Sequence, residues 1–503
     1  MLKSSDIKTA AIELYLLPIR ARTPLKFGPE TVTSVTCARV RATVEDRLGR
    51  RGVGWGETPL SVQWVWPSSV AYDERHDALV QLTIELARGW SEFAEFGDPI
   101  ELGHAFQKHL MGKILATANR ERERLEPIPR LAALVCCSPF DLAIHDAFGN
   151  LLNRPTYLTY NRKYMNRDLA AYLSPAEGFE ASFRGKYPGD FLDLKRPDSL
   201  IAWHLTGGKD AIEPSDLTGD EPNDGRPVLL RDWIRTDGLA CVKVKLKGDD
   251  SRWDYNRLTR VGRIAIEEGV SWLSADFNCT VLDPIYVIEI LDRLALEEPK
   301  IYEKLLYVEQ PFPYDLEAYP IDVHEVSRRK PLFLDESAHD WEMIRLGREL
   351  GWTGVALKTC KTQTGAILSQ AWSKTHSMPL MVQDLSNPML AQIPHALLAA
   401  HSGTIMGVET NGMQFYPDAS IPEAAVHPGL YRRIGGRISL VTLGDTGFGQ
   451  RVDEIRRELP EPTRVFGDPD ATRSAFVAAE GSFTERRVDP TGARENRAPR
   501  TKS

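Results

Sequence analysis

The second half of the chain repeats one pattern, a short apolar segment that ends in a charged residue and is followed by a segment of helical character. By subtraction, the charged residues lie 31, 33, 26, 23, 26 and 25 positions apart, which is one strand and one helix per step. They are Lys245, Asp276, Glu309, Asp335, Lys358, Asp384 and Glu409. A doubly wound open sheet would normally carry a glycine-rich phosphate loop after its first strand, and the sequence has none. The pattern therefore predicts an α/β fold built on a closed parallel barrel.

The part of the chain before this repeat predicts a small α+β domain. It first alternates apolar and polar residues as strands do, and then takes on helical spacing. We place this domain at residues 1–128 and the barrel at 129–410. Residues 175–227 are rich in Gly, Pro and Asp, so we interpret them as an insertion between the first and second barrel strands. Residues 464–503 are charged and weakly apolar, which predicts a disordered tail.

The composition argues against several classes of function. The 503 residues carry a net charge of −8, and no basic block favours nucleic acid or an anionic membrane as a partner. No stretch approaches the ~20 apolar residues of a membrane span, and the first residues lack the apolar run of a signal peptide. The six cysteines are scattered without metal-type spacing, so we expect reduced thiols and a cytoplasmic location.

Two lysines in the segment GLACVKVKL are candidates for chemistry. Val242 and Val244 share one face of the predicted strand, and Lys243 and Lys245 share the other. Because the apolar face of a barrel strand meets the surrounding helices, we expect the lysines to point into the barrel. Taken alone, the same pattern also fits a half-exposed strand with a solvated lysine edge.

Three acids end consecutive strand-like segments and are candidate metal ligands. Asp276 could simply form an Asx turn, Asp335 could cap a helix, and Glu309 could merely end its strand. However, all three have the same relative position in successive units. Carboxylates that meet at one rim of a barrel repel one another unless a cation lies between them, and all-oxygen ligation suits Mg²⁺.

Two further charged residues end later strands. Lys358 follows the strand after Asp335, so its amine is expected to approach from a different side of the barrel axis than Lys245 does. It could instead be a lysine that only pairs with a carboxylate. Glu409 ends the last strand and could be an acid, an acceptor for the substrate, or a partner for a lysine.

These residues together resemble the enolase superfamily, nearest its muconate-lactonizing-enzyme subgroup. The resemblance spans roughly residues 7–170 and 228–460. It includes Gly54, Gly56 and Glu57, the segment SPFDLAIHDAFGNLLNRPTY, Lys243 with Lys245, Asp276 with Asn278, Glu309-Gln310-Pro311, Asp335-Glu336-Ser337, and Lys358 with Lys361. It implies a modified (β/α)7β TIM-like barrel with an α+β capping domain. The N-terminal region and a C-terminal segment, residues 411–463, would together form that domain.

The resemblance also implies roles for individual residues. Asp276, Glu309 and Asp335 would bind one Mg²⁺ per subunit. Lys245 and Lys358 would be acid/base groups on opposite faces of a small-molecule carboxylate substrate. Lys243 would support the substrate carboxylate, Glu409 remains a further candidate catalytic residue, and the loops near 20–27 and 58–66 would close over the site. A homo-oligomer is the usual assembly in such proteins.

The chemistry implied is abstraction of the proton alpha to a carboxylate, which builds an enolate intermediate. A lysine base must be neutral, and a nearby cation and second ammonium are expected to lower its pKa. A racemase or epimerase would use both lysines, whereas a dehydratase or cycloisomerase needs only one, and a non-catalytic scaffold needs none. Glu409-Thr410-Asn411 replaces the Asp-x-Asp of dipeptide epimerases, and Asp384 lies where mandelate-racemase-like members carry a histidine.

Overall fold

The computed structural model describes residues 3–27, 30–122 and 125–469. The strands are β1 (Ile7–Phe27), β2 (Glu30–Asp46), β3 (Arg51–Pro59), β4 (Ser199–Thr206), β5 (Cys241–Lys245), β6 (Trp272–Asp276), β7 (Leu305–Glu309), β8 (Leu332–Leu334), β9 (Gly354–Leu357), β10 (Leu380–Val382), β11 (Val408–Glu409), β12 (Arg437–Ser439) and β13 (Arg464–Gly467). The helices are α1 (Val62–Val65), α2 (Tyr72–Glu92), α3 (Pro99–Phe106), α4 (Gly112–Glu121), α5 (Arg130–Leu151), α6 (Leu230–Asp237), α7 (Ser251–Glu267), α8 (Pro284–Glu297), α9 (Pro299–Lys304), α10 (His324–Ser327), α11 (Trp341–Glu349), α12 (Gln363–Thr375), α13 (Gln392–Ser402), α14 (Gly412–Phe415) and α15 (Ile421–Val426).

The first three strands form an antiparallel sheet that α2 and α5 cover. The strand order is β13-β1-β2-β3, so the chain returns near its described end to pair with its first strand. α2 packs on β1, and α5 packs on β2 and β3. This sheet and its helices are the predicted α+β cap.

Three glycines on one face of β3 allow α5 to approach the sheet unusually closely. Gly52, Gly54 and Gly56 alternate along the strand, so they face the same side. A Cβ atom on Gly54 would lie 2.1 Å from the backbone nitrogen of Ala147, and one on Gly56 would lie 2.1 Å from the carbonyl oxygen of Pro139. Only glycine permits this separation, which accounts for the glycine pattern in the sequence.

Helix α5 also joins the cap to the barrel. The hydroxyl of Ser138 donates to the carbonyl of Thr359 after β9 (2.8 Å), and the carboxylate of Asp141 accepts from the backbone N–H of Thr364 (2.8 Å). Within the described residues α5 alone is long and apolar enough to cross a membrane by length and composition. Its most apolar stretch is completely buried inside the protein.

Eight parallel strands form the barrel, in the order β10-β9-β8-β7-β6-β5-β4-β11. Helices fill each of the connections between consecutive strands. The sheet curls so that its two ends meet: the N–H of Ile405, just before β11, donates to the carbonyl of Leu380 in β10 (2.9 Å). The predicted (β/α)7β barrel with an α+β cap is confirmed.

Aromatic and sulfur-containing side chains fill the barrel interior below its charged rim. This cluster consists of Trp203, Cys241, Tyr307, Phe333 and Met381, all buried. The rings of Tyr307 and Phe333 stack with their centroids 4.5 Å apart. Because these side chains fill the barrel interior, a reactive site has room only at the C-terminal ends of the strands.

The predicted insertion and tail need correction. The first barrel strand, β4, lies inside residues 175–227, so this region is not one insertion between two strands. Residues 207–240 separate the first and second barrel strands, and we name the part that precedes α6, residues 207–229, the β4–β5 insert. Residues 464–467 form β13 and do not belong to a tail, and the predicted tail beyond 469 lies outside the described residues. The segment 411–463 contains β12, which pairs with barrel strand β4, and the domain boundaries themselves stay a prediction.

We expect Gly54→Ala to lower the free energy of unfolding by at least about 2 kcal/mol, because the added methyl group would overlap the backbone of α5. Gly112→Ala is the matched control. Gly112 is helical, nothing lies within 4 Å of its added Cβ, and the change should raise stability by about 0.5–1 kcal/mol. Urea denaturation of both variants measures the two effects, and equal stability of Gly54→Ala and the wild type would contradict the close packing of β3 and α5.

Candidate active site

The C-terminal ends of the barrel strands bring together a group of ionisable side chains, called the acid–lysine cluster. Its carboxyl groups are Asp276, Glu309, Asp335, Glu336, Asp384 and Glu409, and its amines are Lys243, Lys245, Lys358 and Lys361. The strand register explains why they meet, since Lys245 pairs with Asp276 across β5 and β6, and Asp276 pairs with Glu309 across β6 and β7. Every member is at least nine-tenths buried.

Lys243 is the centre of this cluster. Its ammonium lies 3.0 Å from Asp276, 2.5 Å from Glu309 and 2.9 Å from Glu409. Burial lowers the pKa of Lys243, but the charges of Asp276 and Glu309 outweigh burial and raise that pKa well above its usual value. The acids around Lys243 therefore favour its charged form, which suits electrostatic support.

Lys245 and Lys358 approach the cluster from opposite sides. β5 and β9 are four strands apart in an eight-stranded barrel, so their ends face each other across the axis. Lys245 pairs with Asp276. Lys358 lies 3.0 Å from the carboxylate of Asp335 and donates to the carbonyl of Asp384 (3.0 Å).

The pKa of Lys358 differs from the expectation for a lysine base. Burial acts to lower this pKa, but the negative charges of Asp335, Glu409 and Glu309 together outweigh burial, so the pKa lies above its usual value. The sequence predicted a lowered pKa from a nearby cation and a second ammonium. In this arrangement the surrounding acids instead favour the protonated form of Lys358.

The carboxylates differ in how well nearby cations stabilise them. Burial raises the pKa of Asp276, but the charges of Lys243 and Lys245 reverse this and hold it below its usual range. Burial and then the charge of Asp276 raise the pKa of Glu309 well above its usual value. The positive charge of Lys243 therefore does not offset the effect of burial and of Asp276 on the pKa of Glu309.

The residues of the cluster fit a divalent cation. The cluster has six carboxyl groups and four amines, and this excess of acids agrees with the raised pKa of Glu309. In addition, Oε2 of Glu336 is buried and has no hydrogen-bond partner in the described part of the chain. Carboxylate oxygens are the ligands that Mg²⁺ prefers, so the deficit of positive charge and the donor type agree.

The described residues do not hold three Asp, Glu, His or Cys side chains at metal-binding spacing. Lys243 contacts both Asp276 and Glu309, and Lys358 and Lys361 contact Asp335. The carboxylates are therefore each directed at an amine. To bind one ion, the oxygens of these carboxylates would have to turn away from the amines that they now contact.

A tryptophan of the cap covers the cluster. Nε1 of Trp64, on α1, donates to Oε1 of Glu336 (2.9 Å), and the amine of Lys358 lies 4.9 Å from the centre of the Trp64 ring. The space left between Trp64, Leu205 and the cluster is about 10 Å³, roughly the room for one water molecule. The structure therefore describes a closed site.

Several amides support the cluster, and the sequence pattern predicted a role for none of them. Nε2 of Gln383 donates to Glu309 (2.5 Å), and Nδ2 of Asn411 donates to Glu409 (2.8 Å) and Asp384 (3.2 Å). Oε1 of Gln310 accepts from the backbone N–H of Asp335 (2.8 Å) and so holds the end of β8. Each of these amides lies one or two positions along the chain from a charged residue that the sequence pattern singled out. This proximity is the one signal that could have identified them.

Solved structures share this fold across most of the chain. N-succinyl Arg/Lys racemase from Bacillus cereus is 16% identical with a TM-score of 0.57, and the match covers 91% of this chain and 99% of that one. Muconate lactonizing enzyme from Mycobacterium smegmatis, complexed with muconolactone, is 16% identical with a TM-score of 0.56 and coverage of 93% and 99%. A dipeptide epimerase from Cytophaga hutchinsonii, complexed with Mg and D-Ala-L-Val, is 17% identical with a TM-score of 0.53 and coverage of 81% and 88%. No family model and no curated protein sequence matches the chain. The likeness establishes the two-domain fold found in the enolase superfamily.

We expect Mg²⁺ to stabilise the folded protein, because a divalent cation would balance the excess negative charge of the cluster. At a concentration about one hundred times its dissociation constant, Mg²⁺ should add about 2.7 kcal/mol to the free energy of unfolding. Thermal unfolding with and without Mg²⁺ measures this gain, and Glu309→Gln should abolish most of it. Asp292→Asn, on the surface, is the control that keeps the gain. A wild-type protein that is indifferent to millimolar Mg²⁺ would contradict the prediction.

Proposed function

We propose that this protein is a Mg²⁺-dependent isomerase of the enolase superfamily that removes the proton alpha to a carboxylate, and that it acts as a racemase or epimerase. The observation that carries the proposal is the placement of Lys245 and Lys358 on opposite sides of a buried group of carboxylates. A racemase needs this arrangement, since one base removes the proton from one face and a second acid returns a proton to the other.

Asp276, Glu309 and Asp335 would hold the Mg²⁺ ion in this proposal. Once bound, the ion supplies positive charge that offsets the second negative charge of an enediolate. Lys243 adds a fixed positive charge at the same end of the substrate, because its pKa is raised by the acids around it. These four residues would therefore orient the substrate carboxylate and stabilise the intermediate.

Lys245 and Lys358 would move the proton. In one direction the neutral amine of Lys245 takes the α-proton, and the ammonium of Lys358 delivers a proton to the opposite face. In the other direction the two residues exchange roles. Asp335 and the carbonyl of Asp384 hold the Lys358 ammonium in place, and Trp64 covers the site and excludes water from the intermediate.

The similar structures support this reaction class. Two of them are named for racemisation or epimerisation, and one is complexed with Mg and a dipeptide. The muconate lactonizing enzyme supports a second candidate, a cycloisomerase or a related lyase such as an acid dehydratase. In that case one lysine is the base and the other only stabilises charge. Mass analysis of the product separates the candidates, since elimination changes the mass of the substrate, whereas neither epimerisation nor cycloisomerisation does, and the product's connectivity then distinguishes these two.

A non-catalytic scaffold is the remaining alternative. Burying ten ionisable side chains in one place is energetically costly, and a scaffold would gain nothing from it. The buried cluster therefore favours an enzyme. We also propose that the partners are small-molecule carboxylates and a second copy of the same chain.

We expect Lys245→Met and Lys358→Met each to reduce racemisation by roughly 10²–10⁴-fold, because each removes one of the two proton-transfer groups. Exchange of the α-hydrogen with solvent deuterium should persist for one stereoisomer in each variant, and the retained stereoisomer should differ between them. Nuclear magnetic resonance in deuterated water follows both exchanges.

Lys247→Met is the matched control for these variants. Lys247 follows the same strand, and its amine contacts the ring of Trp253 outside the cluster. It should leave racemisation and exchange unchanged. If neither Lys245→Met nor Lys358→Met alters the exchange of a confirmed substrate, the two-base proposal is wrong.

A further inference from the structure

The side chain of Gln310 connects the end of β7, where Glu309 lies, to the end of β8. Its Oε1 accepts hydrogen bonds from the backbone N–H groups of Asp335 (2.8 Å) and Ser337 (3.2 Å). Its Nε2 donates to the carbonyl of Phe312 (3.0 Å) and to Oγ of Ser337 (2.7 Å). Because a backbone N–H can only donate, the atom that faces these two groups must be the amide oxygen. The four hydrogen-bonding positions of this amide are therefore all used.

The backbone of Gln310 extends this connection to a third strand. Its N–H donates to the carbonyl of Phe333 in β8 (3.0 Å). Its carbonyl accepts from the N–H of Cys279, just beyond the end of β6 (2.8 Å). This one residue therefore joins the ends of β6, β7 and β8, which are the strands that carry the three proposed metal ligands.

Gln310 also has a backbone conformation that residues with a side chain rarely adopt. Its φ is +31°, in the left-handed region, and its side chain is fully buried. Asn278 and Cys279, in the segment that Gln310 contacts after β6, likewise have positive φ values of 49° and 63°. Such conformations persist only where the surrounding structure imposes them, and they gather at functional sites. The strain here lies directly beside Asp276 and Glu309.

These hydrogen bonds fix the strand ends and leave the carboxylates free to turn. Asp276, Glu309 and Asp335 now contact amines, so their oxygens have to turn in order to bind an ion. Among the described residues, Gln310 hydrogen-bonds no carboxylate, and it holds the ends of β6 and β8 mainly through backbone groups. It can therefore keep the spacing of the strand ends constant while the carboxylate oxygens change direction.

A fixed spacing of the strand ends matters more for a small ion than for a large one. Mg²⁺ requires nearly ideal octahedral geometry with oxygens at about 2.0–2.1 Å, whereas Ca²⁺ accepts variable geometry at about 2.3–2.6 Å. Partners that orient metal ligands typically affect metal affinity by about 10–100-fold. A loosened set of strand ends is therefore expected to lose affinity for Mg²⁺ before it loses affinity for Ca²⁺.

We propose that Gln310 is a positioning residue that fixes the ends of β6, β7 and β8 relative to one another and so makes the site select Mg²⁺ over Ca²⁺. It acts through the strands that carry Asp276, Glu309 and Asp335 and contacts neither the ion nor the substrate. This inference rests on the proposed function, because it takes these three acids as the metal ligands. It adds the choice between two divalent ions and the residue that determines this choice.

The test is isothermal titration calorimetry of the metal-free protein with Mg²⁺ and, separately, with Ca²⁺, in the absence of substrate. The wild type should bind Mg²⁺ more tightly than Ca²⁺. Gln310→Met keeps the approximate size of the side chain and removes its hydrogen bonds. This variant should bind Mg²⁺ about 10–100-fold more weakly. Its affinity for Ca²⁺ should fall less, so the ratio of the two affinities should decrease.

Gln310→Asn is a second variant, which places less strain on the backbone. Asn adopts positive φ more readily than Gln, but its side chain is one methylene shorter and cannot reach the N–H groups of Asp335 and Ser337. It should lower the ratio of the affinities in the same direction. In both variants, hydrogen–deuterium exchange of these two amides should be faster than in the wild type, because they lose their acceptor.

Gln370→Met is the matched control. Gln370 is also a fully buried glutamine, but it lies within α12, and its Nε2 donates to the carbonyl of Phe191, before β4 (2.6 Å). This variant should keep the wild-type ratio of the affinities. A wild type without preference for Mg²⁺, an unchanged ratio in both Gln310 variants, or an equal decrease in Gln370→Met would overturn the proposal.

Exchange of the α-hydrogen of carboxylates with solvent deuterium is measured separately on the Mg²⁺-loaded wild type. If the Gln310 variants lose the preference for Mg²⁺ and no carboxylate exchanges, only the proposed reaction is rejected. If a carboxylate exchanges and the Gln310 variants keep the wild-type ratio, only the positioning role of Gln310 is rejected.

Discussion

The ion pairs between Lys243 and the acids of the neighbouring strands are the interaction on which the rest of the site depends. Removing charged groups from water is costly, and a buried carboxylate is tolerated only where a cation or hydrogen bonds compensate it. Lys243 compensates three acids at once, and Lys358 with Lys361 compensates Asp335. The acids of the cluster outnumber its amines. This excess of acids favours binding of a divalent cation at the rim of the barrel.

The barrel and the cap contribute to this site in different ways. Strand register fixes the order of the charged residues around the rim, and the packed aromatic floor keeps water out from below. The cap supplies Trp64 above, with its ring near Lys358 and its N–H on Glu336. The low dielectric of such an enclosed site strengthens every charge interaction within it. The β4–β5 insert forms part of the wall of a separate cavity of about 310 Å³.

Much of the fold and of the candidate site could be predicted because parallel strands all end at the same rim. The positions of Asp276, Glu309, Asp335 and both proposed proton-transfer lysines follow from that rule alone. The sequence pattern does not predict β4, because turn-forming residues flank this strand on both sides and its place in the barrel depends on pairing with β5 and β11.

Other properties depend on distances that no sequence pattern contains. The pKa of Lys358 is raised because Asp335, at 3.0 Å, and the charges of Glu409 and Glu309 together outweigh burial. Similarly, the unpaired oxygens of Glu336 and Gln414 become visible only once every neighbour is placed.

The attachment of α5 limits how the closed site can admit a ligand. This helix is pressed against the glycine face of β3 on one side and hydrogen-bonded to the segment after β9 on the other. A hinged swing of the cap would break the contacts of α5 either with β3 or with the segment after β9. Admission must therefore occur through small local rearrangements, of the short turn that carries Trp64 and of the β4–β5 insert that Arg22 ties to β1. If the protein turns over a substrate as proposed, the rate at which these two segments open would set an upper limit on that turnover.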